Sequence, residues 1–210
     1  MIGSKLIEGV GTNDAGYVIS KTETVGRDPL TGRRKQRKIW TCPYYSAWKG
    51  MLTRCYSERE KNRSPTYKDC TVCEDWHLFS NFKSWMIQQD WEGKQLDKDL
   101  LVRGNKVYSP ETCCFLPVKV NSFIIECTAS RGIWPIGVYW NKRDEKFVSR
   151  CSNPFTGQYE SLGHFDDANV AHKAWLGRKL ELATLLAETE ADVRISQALI
   201  DRYANFIGGN

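Results

Sequence analysis

Three short strand patterns followed by one long helical pattern constrain the C-terminal half of this chain more than any other feature. The strand patterns cover 136–140, 146–151 and 159–163, with turn-rich segments between them. Strands this short cannot form a sandwich with a second sheet, so the helix that follows, capped by Asp166 or Asp167, must cover one face. The sequence therefore predicts a three-stranded antiparallel sheet packed on one helix, with its other face open.

The open face of that sheet and its turns carry many polar and cationic side chains. A three-stranded sheet is narrow enough to enter the major groove of DNA, where base edges present a distinct pattern of donors and acceptors. Cations on the turns would contact phosphates, which position a protein without specifying a sequence. An ordinary solvated sheet face explains the same pattern equally well. The candidate residues are Tyr139, Lys142, Arg143, Lys146, Arg150, Ser152, Tyr159 and Ser161.

Several short motifs fall in order along the same segment. They are Gly137-Val138-Tyr139-Trp140, Lys146-Phe147-Val148-Ser149-Arg150 and Leu162-Gly163-His164-Phe165-Asp166-Asp167-Ala168, with Ala171 and Ala174 beyond them. In this order they resemble the APETALA2-type DNA-binding domain of plant ethylene-response factors, which also occurs in phage homing endonucleases. The resemblance implies that alternate strand residues contact DNA bases, at Tyr139, Lys142, Lys146, Arg150, Ser152, Tyr159 and Ser161. Fewer arginines stand here than in the plant domains, so a different sequence preference is expected.

The middle of the chain predicts a second small unit, in the order strand, loop, strand, helix. Strand patterns cover 96–102 and 112–116, a turn lies between them at 103–106, and Pro117 begins a helix that contains Asn121.

Two aspartates lie in the first of these strand patterns, one residue apart. Residues i and i+2 of a strand share a face, so the carboxylates of Asp97 and Asp99 can converge on one ion. Magnesium prefers oxygen ligands and keeps several waters, and Asn121 is a further candidate ligand. The alternative is a surface pair neutralised by Lys98 or Arg103.

The motifs of this middle unit also resemble a known nuclease. They are Leu96-Asp97-Lys98-Asp99, Tyr108-Ser109-Pro110-Glu111-Thr112-Cys113 and Asn121, preceded by a similar lead-in at 48–56 and 72–76. Together they resemble the HNH, or ββα-metal, unit of phage endonucleases that also carry the APETALA2-type domain, over roughly 44–180. The resemblance implies a metal-dependent DNA endonuclease of the nicking or homing type. Its catalytic residues would be Asp97, Lys98, Asp99 and Asn121, with magnesium or manganese on Asp97, Asp99 and Asn121, and with Lys98, Arg103 and Lys106 on phosphate.

The chain departs from the HNH pattern at two positions. Lys98 stands where the family has its general-base histidine, and Thr112 stands where it has a central asparagine. Lysine at its ordinary pKa is a poor base near neutrality, so Asp99 or a metal-bound water is expected to take that role. The alternative is a catalytically inactive DNA-binding or regulatory protein on the same scaffold.

A dense basic run lies near the start of the chain. Five of the six positions from 33 to 38 are cationic, and a turn-rich segment at 28–32 precedes them. This predicts a long hairpin whose basic arm lies along phosphates and gains free energy from counterion release. A solvated loop is the alternative reading. The basic residues are Arg33, Arg34, Lys35, Arg37 and Lys38.

Eight cysteines are present, and only Cys70 and Cys73 have the two-residue gap typical of a zinc site. Cys42 and Cys55 could complete a four-cysteine set. Free cysteines also pack as small core side chains, and Cys55 lies in a helical stripe with Trp48, Met51 and Leu52. A second aromatic stripe, at 79–86, also predicts core packing.

The sequence as a whole predicts an α+β protein. Its expected parts are a basic N-terminal hairpin (1–41), an HNH-like ββα domain with a helical lead-in (42–128), an APETALA2-like domain (133–187) and a C-terminal helix (188–210). The expected partner is double-stranded DNA, with no membrane partner, because apolar stretches are only a few residues long. The expected location is the cytoplasm, and the oligomeric state is left open. In a third reading, the acidic helix at 192–207 docks a protein partner or dimerises.

Overall fold

The structure is a computed structural model that describes residues 6–125 and 132–207. The described chain forms two compact units, and both cross the predicted domain boundaries. The first unit contains the described residues up to Glu92 together with Gly104–Cys113, and the second contains Gly93–Arg103 and the described residues from Cys114 onward. Helices and small sheets occur in both, which confirms the α+β class. None of the described helices is long and apolar enough to cross a membrane.

The first unit begins with the predicted hairpin. Strands β1 (Ser20–Arg27) and β2 (Arg34–Thr41) pair antiparallel, with two irregularities in their register. The connecting turn is stabilised by Asp28, whose Oδ1 accepts hydrogen bonds from the backbone N–H groups of Leu30 and Thr31. This is the local bonding that favours aspartate in turns. The turn-rich segment of the sequence therefore does form the turn of a hairpin.

Two aromatic helices form the core of the first unit. Helix α1 (Pro43–Tyr56) begins with proline, whose fixed φ suits the first turn, and helix α3 spans Phe79–Met86. The predicted stripes are buried except for Trp85, which is half-buried, and Trp48 Nε1 donates a hydrogen bond of 2.7 Å to the carbonyl of Trp76. The other elements are α2 (Glu58–Arg63), 3₁₀ turns at Pro65–Tyr67 and Glu74–His77, and strands β3 (Thr71–Val72) and β5 (Val107–Tyr108), which pair in parallel.

The second unit begins with a short antiparallel pair and a helix. Strand β4 (Lys94–Asp97) pairs with β6 (Cys114–Pro117), and α4 (Val118–Ile124) follows directly. The order strand, strand, helix was predicted, but the first strand was placed wrongly at 96–102. It ends at Asp97 because Asp97 Oδ1 accepts hydrogen bonds from the N–H groups of Asp99 (3.0 Å) and Leu100 (2.8 Å), which turn the chain.

The C-terminal sheet has the predicted topology. Strands β7 (Val138–Asn141), β8 (Lys146–Ser152) and β9 (Tyr159–Phe165) are antiparallel in the order β7-β8-β9. Helix α5 (Ala168–Ala187) follows and is capped by Asp167, whose side chain accepts hydrogen bonds from two backbone N–H groups. Capping of this kind satisfies donors that have no partner within the helix.

A second long helix, α6 (Val193–Ile207), packs against α5 in the same unit. Its Ile195, Leu199 and Tyr203 are buried in the core, so the partner that the third reading expects would have to contact the other side of this helix. That core also takes in residues from the β4, β6 and α4 segment. It consists of Leu100, Cys114, Leu116, Val120, Phe123, Ile124, Cys151, Trp175, Leu176, Leu182, Ala183, Leu186, Ile195, Leu199 and Tyr203.

The compact units divide the chain differently from the four predicted segments. The predicted 42–128 domain is shared between both units, and the predicted 133–187 and 188–210 segments contribute to one core. Residues 126–131, which hold most of the predicted linker between the second and third segments, lie outside the described residues.

Candidate nucleic-acid interface and metal site

The basic hairpin exposes its cations to solvent. Residues 20–41 hold seven lysines and arginines against two acidic residues. The five predicted contacts (Arg33, Arg34, Lys35, Arg37 and Lys38) are all exposed. Among them, Arg37 alone forms an ion pair with a described residue, Glu23, its cross-strand partner. Most of this charge is therefore not neutralised within the part of the chain that the structure describes.

The register of the hairpin places Arg27 directly opposite Arg34. Like charges in direct cross-strand positions destabilise a strand pair. Arg27 Nη1 donates to the carbonyl of Gly32, which holds its guanidinium near the turn. A negatively charged partner bound at the turn would relieve this repulsion, as phosphates do for clustered cations.

The C-terminal sheet exposes most of its predicted contacts. The register pairs Arg150 with Ser161 and Ser152 with Tyr159, and all four are exposed. The Arg150 guanidinium carbon lies 5.5 Å from the centre of the Tyr159 ring. These residues of β8 and β9 are therefore brought together as one polar surface, which we call the sheet patch.

The remaining predicted contacts of this sheet lie away from the sheet patch in the register. Tyr139 is on the outer strand β7, opposite Val148. Lys146 is ion-paired with Asp166, and Arg143 Nε lies 2.9 Å from Asp144 Oδ1. Lys142 is exposed in the turn after β7 and forms no ion pair with a described residue.

The structure brings the two predicted metal-binding aspartates into contact through a turn, and not by the predicted geometry. Asp99 is beyond the end of β4, so the argument from alternating strand residues does not apply. The turn instead directs the Asp99 backbone onto Asp97. Burial raises the pKa of the Asp97 carboxyl, and the negative charge of Asp99 raises that pKa further. A cation held between these oxygens would relieve both effects.

Lys98 is buried, with only 6% of its surface exposed. Its Nζ lies 3.1 Å from Asp99 Oδ2. Contact between this amine and a phosphate, as the sequence predicts, would require its release from Asp99. For Asp99, this ion pair with Lys98 is the one that the alternative interpretation of the sequence expects.

Asn121 contacts the strand that leads to Asp97. Its Nδ2 donates a hydrogen bond of 2.6 Å to Gln95 Oε1, and Gln95 lies two residues before Asp97 on β4. No described residue donates a hydrogen bond to the Asn121 amide oxygen, which can therefore serve as a ligand. The donor set of two carboxylates and one amide oxygen therefore suits magnesium or manganese in its chemistry.

The two remaining predicted phosphate contacts fall in different units. Arg103 is exposed in the second unit, whereas Lys106 is exposed in the first, where its Nζ donates to the carbonyl of Thr66 at 3.1 Å.

The structure does not bring the four candidate zinc ligands into one group. Among the described residues, no three histidine, cysteine, aspartate or glutamate side chains cluster in a way that could hold a metal ion. Cys42 Sγ lies 3.8 Å from the Tyr17 hydroxyl, and Cys70 Sγ lies 3.7 Å from the carbonyl of Thr66. Cys42, Cys55 and Cys70 are buried, and burial raises the pKa of the half-buried Cys73 thiol.

Sequence reasoning missed a cavity of about 640 Å³ in the first unit, which includes Lys49 and Arg54 in its lining. A signal for it was available in α1. Ser46, Lys49, Gly50 and Thr53 recur at helical spacing and form a polar stripe on that helix.

Comparisons with family models, with curated proteins and with solved structures found no match for this chain.

Proposed function

We propose that this protein binds duplex DNA, with its basic hairpin along the phosphate backbone. The observation that carries the proposal is the set of five exposed cations at 33–38, of which four form no ion pair with a described residue. Exposed cations release counterions when they contact phosphates, and this release drives binding in a salt-dependent way.

The sheet patch supports a second contact with the same ligand. Arg150, Ser152, Tyr159 and Ser161 offer one cation, three hydroxyls and an aromatic ring on a narrow sheet. Groups of this kind hydrogen-bond to base edges in the major groove, and an arginine contacts guanine most often. In this proposal the hairpin supplies affinity and the sheet patch supplies sequence preference.

The binding proposal is tested through its salt dependence. Replacing Arg33, Arg34 and Lys35 with glutamine removes up to three phosphate contacts, so the slope of log K against log salt falls by up to about three. Fluorescence polarisation of a labelled duplex measures it. The matched control replaces Arg59, Lys68 and Lys173, exposed cations outside the hairpin, with glutamine. Equal slopes for the two triple variants, or no salt-dependent binding by the unaltered protein, would contradict the proposal.

A second candidate function is metal-dependent cleavage of that DNA at Asp97 and Asp99. The observation that favours it is the turn that places the Asp99 backbone on the buried Asp97 carboxyl, whose pKa is raised first by burial and then by the charge of Asp99. Magnesium or manganese on Asp97, Asp99 and Asn121 would supply an activated water and stabilise charge on the scissile phosphate. Lys98 is held by Asp99, so the proton from water would pass to a carboxylate rather than to the amine.

Cleavage is tested with supercoiled plasmid in magnesium or manganese. Asp97→Asn keeps an oxygen for the two backbone N–H groups but loses the charge, so we expect nicking to fall by about 100-fold while the fold persists. Asp69→Asn, an exposed carboxylate in the first unit, is the control. If the unaltered protein binds the plasmid and leaves it supercoiled, the DNA-binding or regulatory alternative is the correct one.

A further inference from the structure

A cavity in the first unit has the size and lining of a ligand site. Its volume is about 640 Å³, and its walls come from β2, α1, α2 and the 3₁₀ turn at Pro65–Tyr67. Pockets for small ligands commonly measure about 300–1,000 Å³, so a nucleotide would fit. The cavity lies outside the predicted metal site and the sheet patch.

Most of the cationic side chains that line the cavity have no carboxylate partner among the described residues. Lys38, Lys49, Arg54 and Arg63 line it, against the single carboxylate of Glu60. Glu60 is already paired with Arg63, at 3.2 Å between Oε1 and Nη2. The other three cations form no ion pair with any residue that the structure describes. Uncompensated cations around a concave surface attract an anionic ligand, because low-dielectric walls strengthen their field.

Arg54 is the most constrained of these cations. Its guanidinium carbon lies 5.9 Å from the centre of the Tyr67 ring and 5.4 Å from that of Tyr108. Its Nε is buried, with no hydrogen-bond partner among the described residues. The two rings therefore hold a planar, permanently charged group that has no carboxylate of its own. An arginine fixed in this way suits the paired oxygens of a phosphate.

Neutral groups in the lining favour the same kind of ligand. Hydroxyls of Ser46, Ser64 and Tyr67 can donate hydrogen bonds to phosphate oxygens, whereas the Thr53 hydroxyl donates to Glu8 at 3.0 Å. Gly50 also lies in the lining, inside helix α1, where glycine weakens a helix. A Cβ at Gly50 would meet nothing within 4 Å, so packing of the protein itself does not require the glycine. Because Gly50 has no side chain, this space stays open to a ligand.

We propose that this cavity binds the phosphoryl group of a nucleotide, with Arg54 and Lys49 on the phosphate. Lys38 belongs both to the basic hairpin and to the cavity. A strand that follows the hairpin therefore reaches the cavity without leaving the positive surface. The inference deepens the proposed DNA binding, but its test with a mononucleotide does not require that proposal to hold.

The test measures binding of thymidine 5′-monophosphate to the full chain by calorimetry, with thymidine as the comparison. The monophosphate is expected to bind at least tenfold more tightly than thymidine, and inorganic phosphate is expected to compete with it. Equal binding of the two, or no binding of the monophosphate, would overturn the proposal.

Two variants separate the cavity from general effects on folding. Lys49 is exposed and has no ion-pair partner among the described residues, so Lys49→Gln should weaken monophosphate binding about tenfold without altering the thermal midpoint. Gly50→Gln adds a side chain toward the cavity, so it should weaken monophosphate binding by a similar factor. Because glutamine forms helices better than glycine, the thermal midpoint should stay the same or rise. Unchanged binding in both variants would refute the site.

Oligonucleotides with and without a 5′-phosphate then identify the source of the phosphoryl group. Lys49-dependent binding of both indicates a backbone phosphate, and Lys49-dependent binding of the phosphorylated strand alone indicates a strand end. The triple hairpin variant, which should lose duplex affinity, is expected to keep monophosphate binding. If the unaltered protein binds the monophosphate but shows no salt-dependent binding of duplex DNA, the proposed function is contradicted and the cavity site stands.

Discussion

Gly137, just before strand β7, lies directly beneath the indole ring of Trp175 in helix α5. Its φ is +81°, a conformation that side chains rarely adopt, and a Cβ built on it would lie 2.0 Å from the ring. Trp175 is part of the core of the second unit. A single missing side chain therefore allows the sheet and the helix to approach, and glycine is the residue that satisfies both the backbone and the packing requirement.

We expect Gly137→Ala to destabilise the second unit by about 2–4 kcal/mol, because the methyl group adds both backbone strain and a clash. The matched control is Gly177→Ala on α5, where a Cβ would meet nothing within 4 Å. That change should stabilise the protein by about 0.5–1 kcal/mol through helix propensity. Urea unfolding followed by circular dichroism measures both, and a Gly137→Ala protein as stable as the parent would show that Trp175 can move away.

At the scale of elements, a charged contact joins strand β9 to helix α5. Glu160 accepts hydrogen bonds from Arg178 Nε (2.7 Å) and Nη2 (3.1 Å), and from Asn153 Nδ2 (2.7 Å). The hydrogen bonds from Arg178, and to a smaller extent the one from Asn153, lower the pKa of Glu160 from its ordinary value of 4.5 to about 2. The ionised carboxylate is thus favoured in the folded state, and protonation removes the contact.

This lowered pKa predicts a defined pH dependence. The contribution of Glu160 is fully present above about pH 4.5 and is lost as the pH falls towards 2, because the unfolded chain takes up its proton first. Glu160→Gln should therefore have a lower thermal midpoint than the parent at pH 6, and the two midpoints should converge near pH 2. Glu188→Gln, an exposed carboxylate just after α5, is the control. A constant difference between parent and Glu160→Gln across this range would contradict the assignment.

At the scale of the whole molecule, the second unit is assembled from segments that are distant in sequence. Leu100, Leu116 and Phe123 share a core with Leu182 of α5 and Leu199 of α6. The β4 and β6 pair is too small to form such a core by itself, because a two-stranded sheet alone is only marginally stable in water. The predicted metal-binding segment therefore depends on the C-terminal helices for its stability.

A chain that ends at residue 125 should lose the structure of β4, β6 and α4, because their apolar side chains would be left exposed to water. Hydrogen exchange is the measurement, with slow exchange expected for these amides in the full chain and fast exchange in the fragment. The matched protein is a full chain with Leu182→Ala, which should destabilise the same amides by about 2–5 kcal/mol. Protected β4 and β6 amides in the fragment would show instead that the predicted 42–128 segment is an independent domain.

Local patterns were sufficient to predict most individual elements. The turn around Asp28, the proline at the start of α1, the aromatic stripes and the Asp167 cap each act within a few residues, so each leaves a mark in the sequence. The exposed basic hairpin and the exposed sheet patch could be named for the same reason, because charge and strand alternation are local properties. Their partner stays a prediction.

The tertiary structure decided which of these elements share a core and which side chains meet. The sequence contains Asp97, Lys98 and Asp99 as neighbours, but packing buries Lys98 and a turn places the Asp99 backbone on Asp97. Arg54 acquires its place between Tyr67 and Tyr108 only because residues 54 apart along the chain meet in space. Periodicity reports the face on which a side chain lies, whereas its neighbours depend on contacts between distant segments, and these contacts define the candidate sites.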